Sequence, residues 1–365
     1  MQINTAYRKK VVRYSYLKLI GSSAVVSILC CLVAFSLKHS TGYVQEELFE
    51  SVSSWDPRLL IILPSIGITA IYFLRKHAFK SRKNKGIKEI YTTLETRKDH
   101  LPFFKIPSHY INGFLTVIFG GSTGVEVSTV VATATVGNHA YKRLHAAWAY
   151  KTELICAGVI AGVTLLFGSA LGGFLFAFEV IARKYNKTLL ISGITSMAVA
   201  YVFVYYVDAS PLFIVEAKAW RWQTVPFVIL LGLIGGILAL YFTKIVIYAK
   251  SYFAGIKSNF IRVNLGAITI GIFIFFLPAL YGDSYHGLGE ILKGSLHDSV
   301  NLSYFLPLIL LVLLKPLVAS LTLGAGGDGG VFAPSIVTGA LLGVLFAQLC
   351  NRYLGTQLIV INFAL

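Results

Sequence analysis

Charge is scarce in this chain. Of 365 residues only 13% are Asp, Glu, Lys or Arg, where a soluble domain devotes about a quarter. Acids are scarcer still, 16 against 32 basic residues. So little charge cannot clothe a water-exposed surface of this size, which excludes an ordinary soluble globule. Cysteine is rare too. Cys30, Cys31, Cys156 and Cys350 all sit in apolar stretches without CxxC spacing, which argues against a disulfide framework or a metal site and for small buried hydrophobes. No GxxxxGK loop is present, and no HExxH or serine–histidine arrangement lies within an apolar run. His139 and His145 fall at a helix end near the cytoplasm. A nucleotide-driven pump and an intramembrane enzyme are therefore disfavoured.

What the chain has is hydrophobic length. It is 56% hydrophobic with a mean hydropathy of +0.72, and a bilayer span needs about 20 apolar residues. Runs that approach or exceed this length cover 19–37, 59–74, 111–136, 154–182, 189–207, 225–249, 265–280, 305–323 and 331–349. The opening "YRKKVVRYSYLK" reads as a basic amphipathic lead-in rather than a signal peptide, because the following run is long and no small-residue cleavage site closes it. The cations cluster at 8–18, 75–98, 142–151, 183–187 and 244–262, whereas "STGYVQEELFESVSSWDPR" and "YGDSYHGLGEILKGSLHDS" are richer in acids. By the positive-inside rule the N-terminus, 75–98, 142–151 and 244–262 are cytoplasmic, and 40–57, 208–217 and 281–300 lie outside. Membrane sorting explains the net charge of +16, so no nucleic-acid partner is needed. The expectation is an all-α, polytopic protein of the cell (inner) membrane with a lipid bilayer around it.

Two stretches share one pattern. "GGSTGVEVSTVVATATVG" (120–137) and "GGDGGVFAPSIVTGALLG" (326–343) match at Gly120/Gly326, Gly121/Gly327, Gly124/Gly330, Val125/Val331, Val131/Val337, Ala134/Ala340 and Gly137/Gly343. "KGIKEI" (85–90) is echoed by "HGLGEI" (286–291), aligning Gly86 with Gly287 and Glu89 with Glu290. The pairs occur in the same order with similar spacing, which points to duplication. The first short element follows a lysine-rich loop and the second an acidic one, so the halves are inverted. Inverted repeats with broken helices near the midplane belong to proteins that move solutes across bilayers. The expected organisation is a lead-in and first span at 1–36, a first repeat at 37–207, an outside linker at 208–222 and a second repeat at 223–365.

The glycines fit that architecture. Backbone interrupted within a membrane must turn tightly and must be buried or line a cavity. The helices that follow, expected to start near Val127 and Val331 with Pro334 in the second one's first turn, begin with unpaired N–H groups and the positive end of a dipole. Such ends form an anion site without a fully charged side chain. Gly121, Gly124, Gly327 and Gly330 are the turn glycines. Glu126 is the lone carboxylate where the first turn meets its helix, and an intramembrane acid is a functional candidate. Ionised, it would occupy the anion position itself; protonated or swung away, it would open it. The bland alternative is that Glu126 only caps its own helix. Phe332 holds the equivalent place in the second half.

On these residues the sequence resembles the CLC family of chloride channels and proton-coupled chloride antiporters. "GGSTGVE" is similar to the family's gating-glutamate motif, "GGVFAP" to its second-half motif and "KGIKEI" to the motif before a short helix aimed at the central anion, over nearly the whole chain from about residue 7. The resemblance implies an inverted-repeat fold and transport of chloride or a similar small anion, with protons as a second species in the antiporters. It implies Glu126 as gate, main-chain amides of Val331 and Phe332 on the anion, and the anion-binding serine's place at or beside Lys85, next to Gly86. No cofactor is implied beyond the transported ion, and the family's usual homodimer would apply if the last helices are present.

The chain also departs from the family pattern. Val127 and Ser128 replace the glycine and proline that usually follow the glutamate, and Asn84–Lys85 replace the serine. Lys85 either strengthens anion attraction or faces the cytoplasm as a positive-inside residue. In "LFGSALGGFLFAFEVI", Glu179 matches the first of two acids found in many antiporters. Val180 takes the place of the second, which favours passive conduction. The second repeat stops one helix beyond its glycine motif, so the chain reads as C-terminally incomplete, lacking the helix that bears the family's anion-coordinating tyrosine. A voltage- or pH-gated chloride channel is the leading expectation. Alternatives are a proton-coupled antiporter, a transporter of nitrate or fluoride, and a non-conducting remnant.

Overall fold

The computed structural model describes residues 5–79, 84–96, 101–143, 150–208, 222–294 and 302–364. Most of the 208–222 linker, and His145, lie outside them. Fourteen α-helices occur among these residues: α1 (Thr5–Trp55), α2 (Leu63–His77), α3 (Lys88–Glu95), α4 (Lys105–Ile118), α5 (Glu126–Arg143), α6 (Lys151–Phe167), α7 (Ala170–Phe176), α8 (Lys187–Val207), α9 (Val225–Ala254), α10 (Asn259–Phe276), α11 (Tyr285–Gly294), α12 (Leu302–Ala325), α13 (Phe332–Tyr353) and α14 (Val360–Ala364). No strand occurs among them. Six helical segments are long and apolar enough to cross a membrane: 10–55, 187–207, 222–254, 259–276, 305–325 and 332–353. Their exposed side chains are largely aliphatic or aromatic, for example Ile229, Leu233, Ile237 and Leu240 on α9. Lipid tails rather than water suit such a surface.

Two apolar runs are broken in the structure. The run at 111–136 divides into α4 and α5 around the glycine turn. The run at 154–182 divides at Gly168, which adopts the left-handed conformation (φ 66°) as the C-cap of α6. Beyond it α7 starts on Ser169, whose Oγ accepts the Gly172 N–H, and continues as a π-helical segment, Ala177–Ala182. The acidic stretch expected as an outside loop at 40–57 is mostly helix instead, because α1 runs unbroken for 51 residues to Trp55. No proline or glycine pair interrupts it, and a strong apolar helix propagates into the polar sequence that follows.

The chain forms two compact units, one of Met1–Ser40, Phe79–Ile111 and Glu126–Leu212, the other of Thr41–Ala78, Asn112–Val125 and Phe213–Leu365. The first is held by close helix approach. A Cβ at Gly137 would sit 2.1 Å from the Leu154 carbonyl oxygen, and one at Gly158 would sit 2.3 Å from that of Thr133. Small residues there bring α5 and α6 backbone to backbone. Serines add a polar seam. Ser23 meets Ser192 and Ser27 donates to Ser196, both at 2.8 Å, while Ser192 and Ser196 donate to the Glu153 and Ala157 carbonyls. Cys30, Cys31 and Cys156 pack in this unit's apolar core as free thiols. The second unit has its own apolar core, in which Leu60, Ile68, Ile270, Ile274, Leu311, Val318, Val337 and Val344 are buried.

Candidate functional site

The glycine turns of the two repeats meet within the second unit. Gly124 and Gly330 pair as an isolated antiparallel bridge, with the Gly330 N–H donating to Gly124 O at 3.4 Å. Around the bridge the contacts come in matched pairs. The Ser122 N–H donates to Thr322 Oγ1 at 3.1 Å, and the Asp328 N–H donates to Thr116 Oγ1 at 2.9 Å. Gly121 N–H donates to Thr116 O at 2.7 Å and Gly327 N–H to Thr322 O at 3.0 Å. Each partner maps onto its counterpart by the same 206-residue offset that relates the sequence motifs. The repeat is therefore physical: each turn ties back to its own threonine carbonyl and reaches across to the other's hydroxyl.

Sterics explain the glycines. A Cβ on Gly121 would lie 2.5 Å from Thr116 Cγ2, and one on Gly327 would lie 2.9 Å from Thr322 Cγ2. Gly120 (φ 83°) and Gly326 (φ 116°) hold backbone angles that side chains resist. Arg75 secures the second turn, donating to Gly326 O at 2.9 Å and pairing with Asp328 at 3.4 Å.

Helix α13 starts at Phe332 with Val331 as its N-cap and Pro334 in the first turn. Helix α5 starts at Glu126, one residue before the expected Val127. Both helices thus follow directly from the glycine turns. Glu126 belongs to the first unit, is buried (5% exposed) and heads its helix, whereas its counterpart Phe332 is 38% exposed. An acid in a helix's first turn sits well with the helix dipole.

Gly86 turns through φ 63° just before α3. The Lys85 side chain is exposed, and its backbone N–H donates to Glu89 Oε1 at 2.6 Å. Glu89 is the buried hub of a polar cluster in the first unit. Lys105 Nζ lies 2.8 Å from its Oε1 and donates to Asn84 Oδ1 at 3.1 Å, and His109 Nε2 is 3.9 Å from its Oε2. Burial alone would raise the Glu89 carboxyl. The nearby His109 imidazole and the hydrogen bonds from Lys105 and the Lys85 N–H outweigh it and hold the group below its ordinary value.

Sequence reasoning passed over Lys315. This lysine of α12 is fully buried, and its Nζ donates to Ser122 Oγ at 2.8 Å, Gly282 O at 3.1 Å and Ser284 Oγ at 2.5 Å. It anchors the first glycine turn to the segment before α11. Tyr281 adds a second tie, its hydroxyl donating to Ile118 O at 2.5 Å. The available signal was a lone cation inside "LVLLKPLVA", which a membrane span tolerates only with partners. Glu179 is exposed and Val180 partly buried on the π-helical segment. Among the described residues no group of three or more His, Cys, Asp or Glu has the spacing to hold a metal.

The voltage gated chloride channel family model matches residues 66–365. The chain belongs to the CLC family. It is 23% identical over 340 residues to the H(+)/Cl(-) exchange transporter ClcA of Vibrio parahaemolyticus, covering 89% of this chain and 70% of that protein. With ClcA of Yersinia pseudotuberculosis serotype IB it shares 22% over 345 residues, 91% and 71% of the two chains. Solved CLC structures share the fold. A CLC-type fluoride/proton antiporter superposes with TM-score 0.75 at 22% identity over 95% of this chain and 83% of that one, and a slow cyanobacterial Cl-/H+ antiporter with 0.77 at 18% identity over the same shares. This CLC member therefore carries the family's helical architecture in an integral membrane protein.

Proposed function

We propose that the chain moves small anions, chloride first among them, across the cell membrane with its N-terminus in the cytoplasm, and that Glu126 gates the path. The observation that carries this reading is the bridge between the two glycine turns. It holds interrupted backbone inside a membrane protein and starts α5 and α13 directly beyond it, and a helix N-terminus, with its main-chain N–H groups and positive dipole end, suits a dehydrated anion. Val331 and Phe332 at the head of α13 supply main-chain donors of this kind; in the first repeat the Gly86 turn heads the short helix α3, and the exposed Lys85 beside it draws anions from the cytoplasmic side. Glu126 follows Val125 of the first turn immediately and competes, when ionised, with the transported ion.

Within that reading we favour passive, channel-type conduction, because Val180 cannot take up or release a proton. Proton-coupled exchange is the second reading, supported by relatives named as H(+)/Cl(-) exchangers and by the kinship to a fluoride/proton antiporter. Proteoliposomes loaded with chloride distinguish the two. Conduction gives chloride efflux only when a permeant cation shunt is supplied, with no chloride-driven proton movement. Exchange gives proton uptake against its gradient. In either case Glu126→Gln is expected to change the efflux rate at least several-fold and to flatten its pH dependence; wild-type flux at every pH would remove the gating role.

A further inference from the structure

Three helices of the first unit run parallel in one register. Ser23 and Ser27 of α1 meet Ser192 and Ser196 of α8, an offset of 169 residues in both contacts. Ser192 and Ser196 in turn meet the Glu153 and Ala157 carbonyls of α6, an offset of 39 in both. Carried back toward the helix starts, the first offset sets Lys18 of α1 level with Lys187, the first residue of α8. Lys151 opens α6 within a turn of that level, and Ser15 and Tyr150 join α1 to the start of α6 at 2.5 Å. Lysines and the positive ends of two parallel helix dipoles therefore share one level.

Little opposes this charge. Helix α1 has no acid before Glu46. The acid in the first turn of α6, Glu153, is buried and accepts a hydrogen bond from Thr188. The Lys151 ammonium is turned to the Thr93 carbonyl, which leaves the exposed Lys187 and the partly exposed Lys18, over the Tyr14 ring at 4.3 Å, to face outward.

The surface on either side of the level differs in kind. Further along both helices the exposed side chains are apolar, Ile20 and Val25 on α1 and Leu190 and Ile194 on α8. In the other direction residues 5–17 carry α1 past the start of α8, about 20 Å at a rise of 1.5 Å per residue. On that extension the exposed cations Lys10 and Arg13 are interleaved with exposed Val11, Val12, Tyr14 and Leu17. Such a mixture suits the boundary between headgroups and acyl chains. A free inorganic anion would use only the basic level, whereas a phospholipid uses that level and the apolar faces beside it.

We propose that this end of the first unit holds an anionic phospholipid, its phosphate against Lys18, Lys187 and the start of α8 and its chains along α1 and α8, with Lys10 and Arg13 gathering further anionic headgroups. That the lipid belongs to the cytoplasmic leaflet rests on the orientation proposed above; binding itself does not.

The test is native mass spectrometry of the full chain in detergent micelles, titrated with phosphatidylglycerol or phosphatidylcholine of identical acyl chains. One basic residue near an anionic surface contributes about fivefold in affinity, so phosphatidylglycerol is expected to bind at least tenfold more tightly than phosphatidylcholine. Arg13→Gln/Lys18→Gln/Lys187→Gln should cut that preference at least fivefold. Lys244→Gln/Lys250→Gln/Lys257→Gln removes the same charge from the second unit and should change it less than twofold. The comparison of the two lipids on the parent chain stands even if a variant fails to fold. Equal affinity for the two lipids, equal losses in the two triple variants, or displacement of phosphatidylglycerol by inorganic phosphate at constant ionic strength would each overturn the proposal. Micelles have no sides, so protease accessibility in oriented vesicles reads the orientation separately; a reversed chain would correct the leaflet and leave the site standing.

Discussion

The reciprocal hydrogen bonds between the glycine turns give the sharpest test of the architecture. Thr116→Val and Thr322→Val are near-isosteric changes that each delete one hydroxyl acceptor. The first leaves the Asp328 N–H without its acceptor, the second the Ser122 N–H, and both sites are buried. A stranded buried donor costs about 1–3 kcal/mol, so each variant should lose that much stability. The losses should be alike, because the environments are related by the same internal symmetry. Thr→Ser at either position keeps the oxygen and loses only a methyl, at about 0.8 kcal/mol. The double valine variant should depart from additivity, since both threonine methyls bear on the same pair of glycines. Denaturant unfolding in micelles, followed by the four tryptophans, compares all five variants with the parent chain. A substantial loss in one valine variant with none in the other, or serine variants as impaired as the valines, would refute the reciprocal arrangement.

Other changes read other parts of the molecule. Gly137→Ala must place its Cβ 2.1 Å from Leu154 O, so α5 and α6 should be forced apart at a cost of about 1–3 kcal/mol or more, whereas Gly289→Ala, with nothing within 4 Å, should be neutral or gain up to about 1 kcal/mol; unfolding midpoints compare them. Lys315→Met sheds a buried charge and fills the space, so it should be more stable than Lys315→Ala by about 2–5 kcal/mol, the usual cost of an emptied core site; equal stabilities in the same unfolding assay would place the side chain outside a packed interior. Because Glu89 is held below its ordinary carboxyl value, the unfolded chain takes up a proton more readily than the folded one. Its contribution is therefore full above about pH 4.5, the reference value, and is lost as pH falls through the depressed value. Glu89→Gln should remove that part of the acid sensitivity, which unfolding curves from pH 7 down to pH 3 would reveal.

How much of this was legible beforehand depended on the kind of signal. Hydropathy marks the spans because lipid demands apolar length, yet it could not say where α1 ends, since a helix already nucleated carries polar residues past the apolar run to Trp55. The glycine motifs disclosed the repeat, but the threonines that hold the turns together were invisible. Thr116 and Thr322 each sit five residues upstream of the glycine their carbonyl supports, while their hydroxyls serve the other repeat's turn 212 and 200 residues away, and threonine inside an apolar helix is too common to stand out. Lys85 was singled out by position in a motif, and its side chain proves exposed while only its backbone N–H takes part in the Glu89 cluster. Lys105 and Lys315 drew no notice because their partners come from distant parts of the sequence, which no local pattern records.

The internal symmetry also shows where the two repeats have diverged in chemistry. Offsetting Lys315 by the same 206 residues reaches His109. Each is a fully buried base, and each serves the short helix of its own repeat: His109 lies beside Glu89 of α3, and Lys315 grips Gly282 and Ser284 just before α11. The job is shared, but the means differ. The first repeat closes its charge internally, with Lys105 at 2.8 Å from Glu89. The second buries an ammonium against hydroxyls and a carbonyl and leaves Glu290, the partner of Glu89, exposed. One duplicated element thus became a sealed ionic anchor on one side and kept an exposed acid on the other. Glu126 against Phe332 follows the same division, with the first repeat keeping its acid buried and the second placing an aromatic ring there. An inverted duplication supplies two equivalent frames, and around the glycine turns, where each half depends on the other for its hydrogen bonds, the same contacts recur in both.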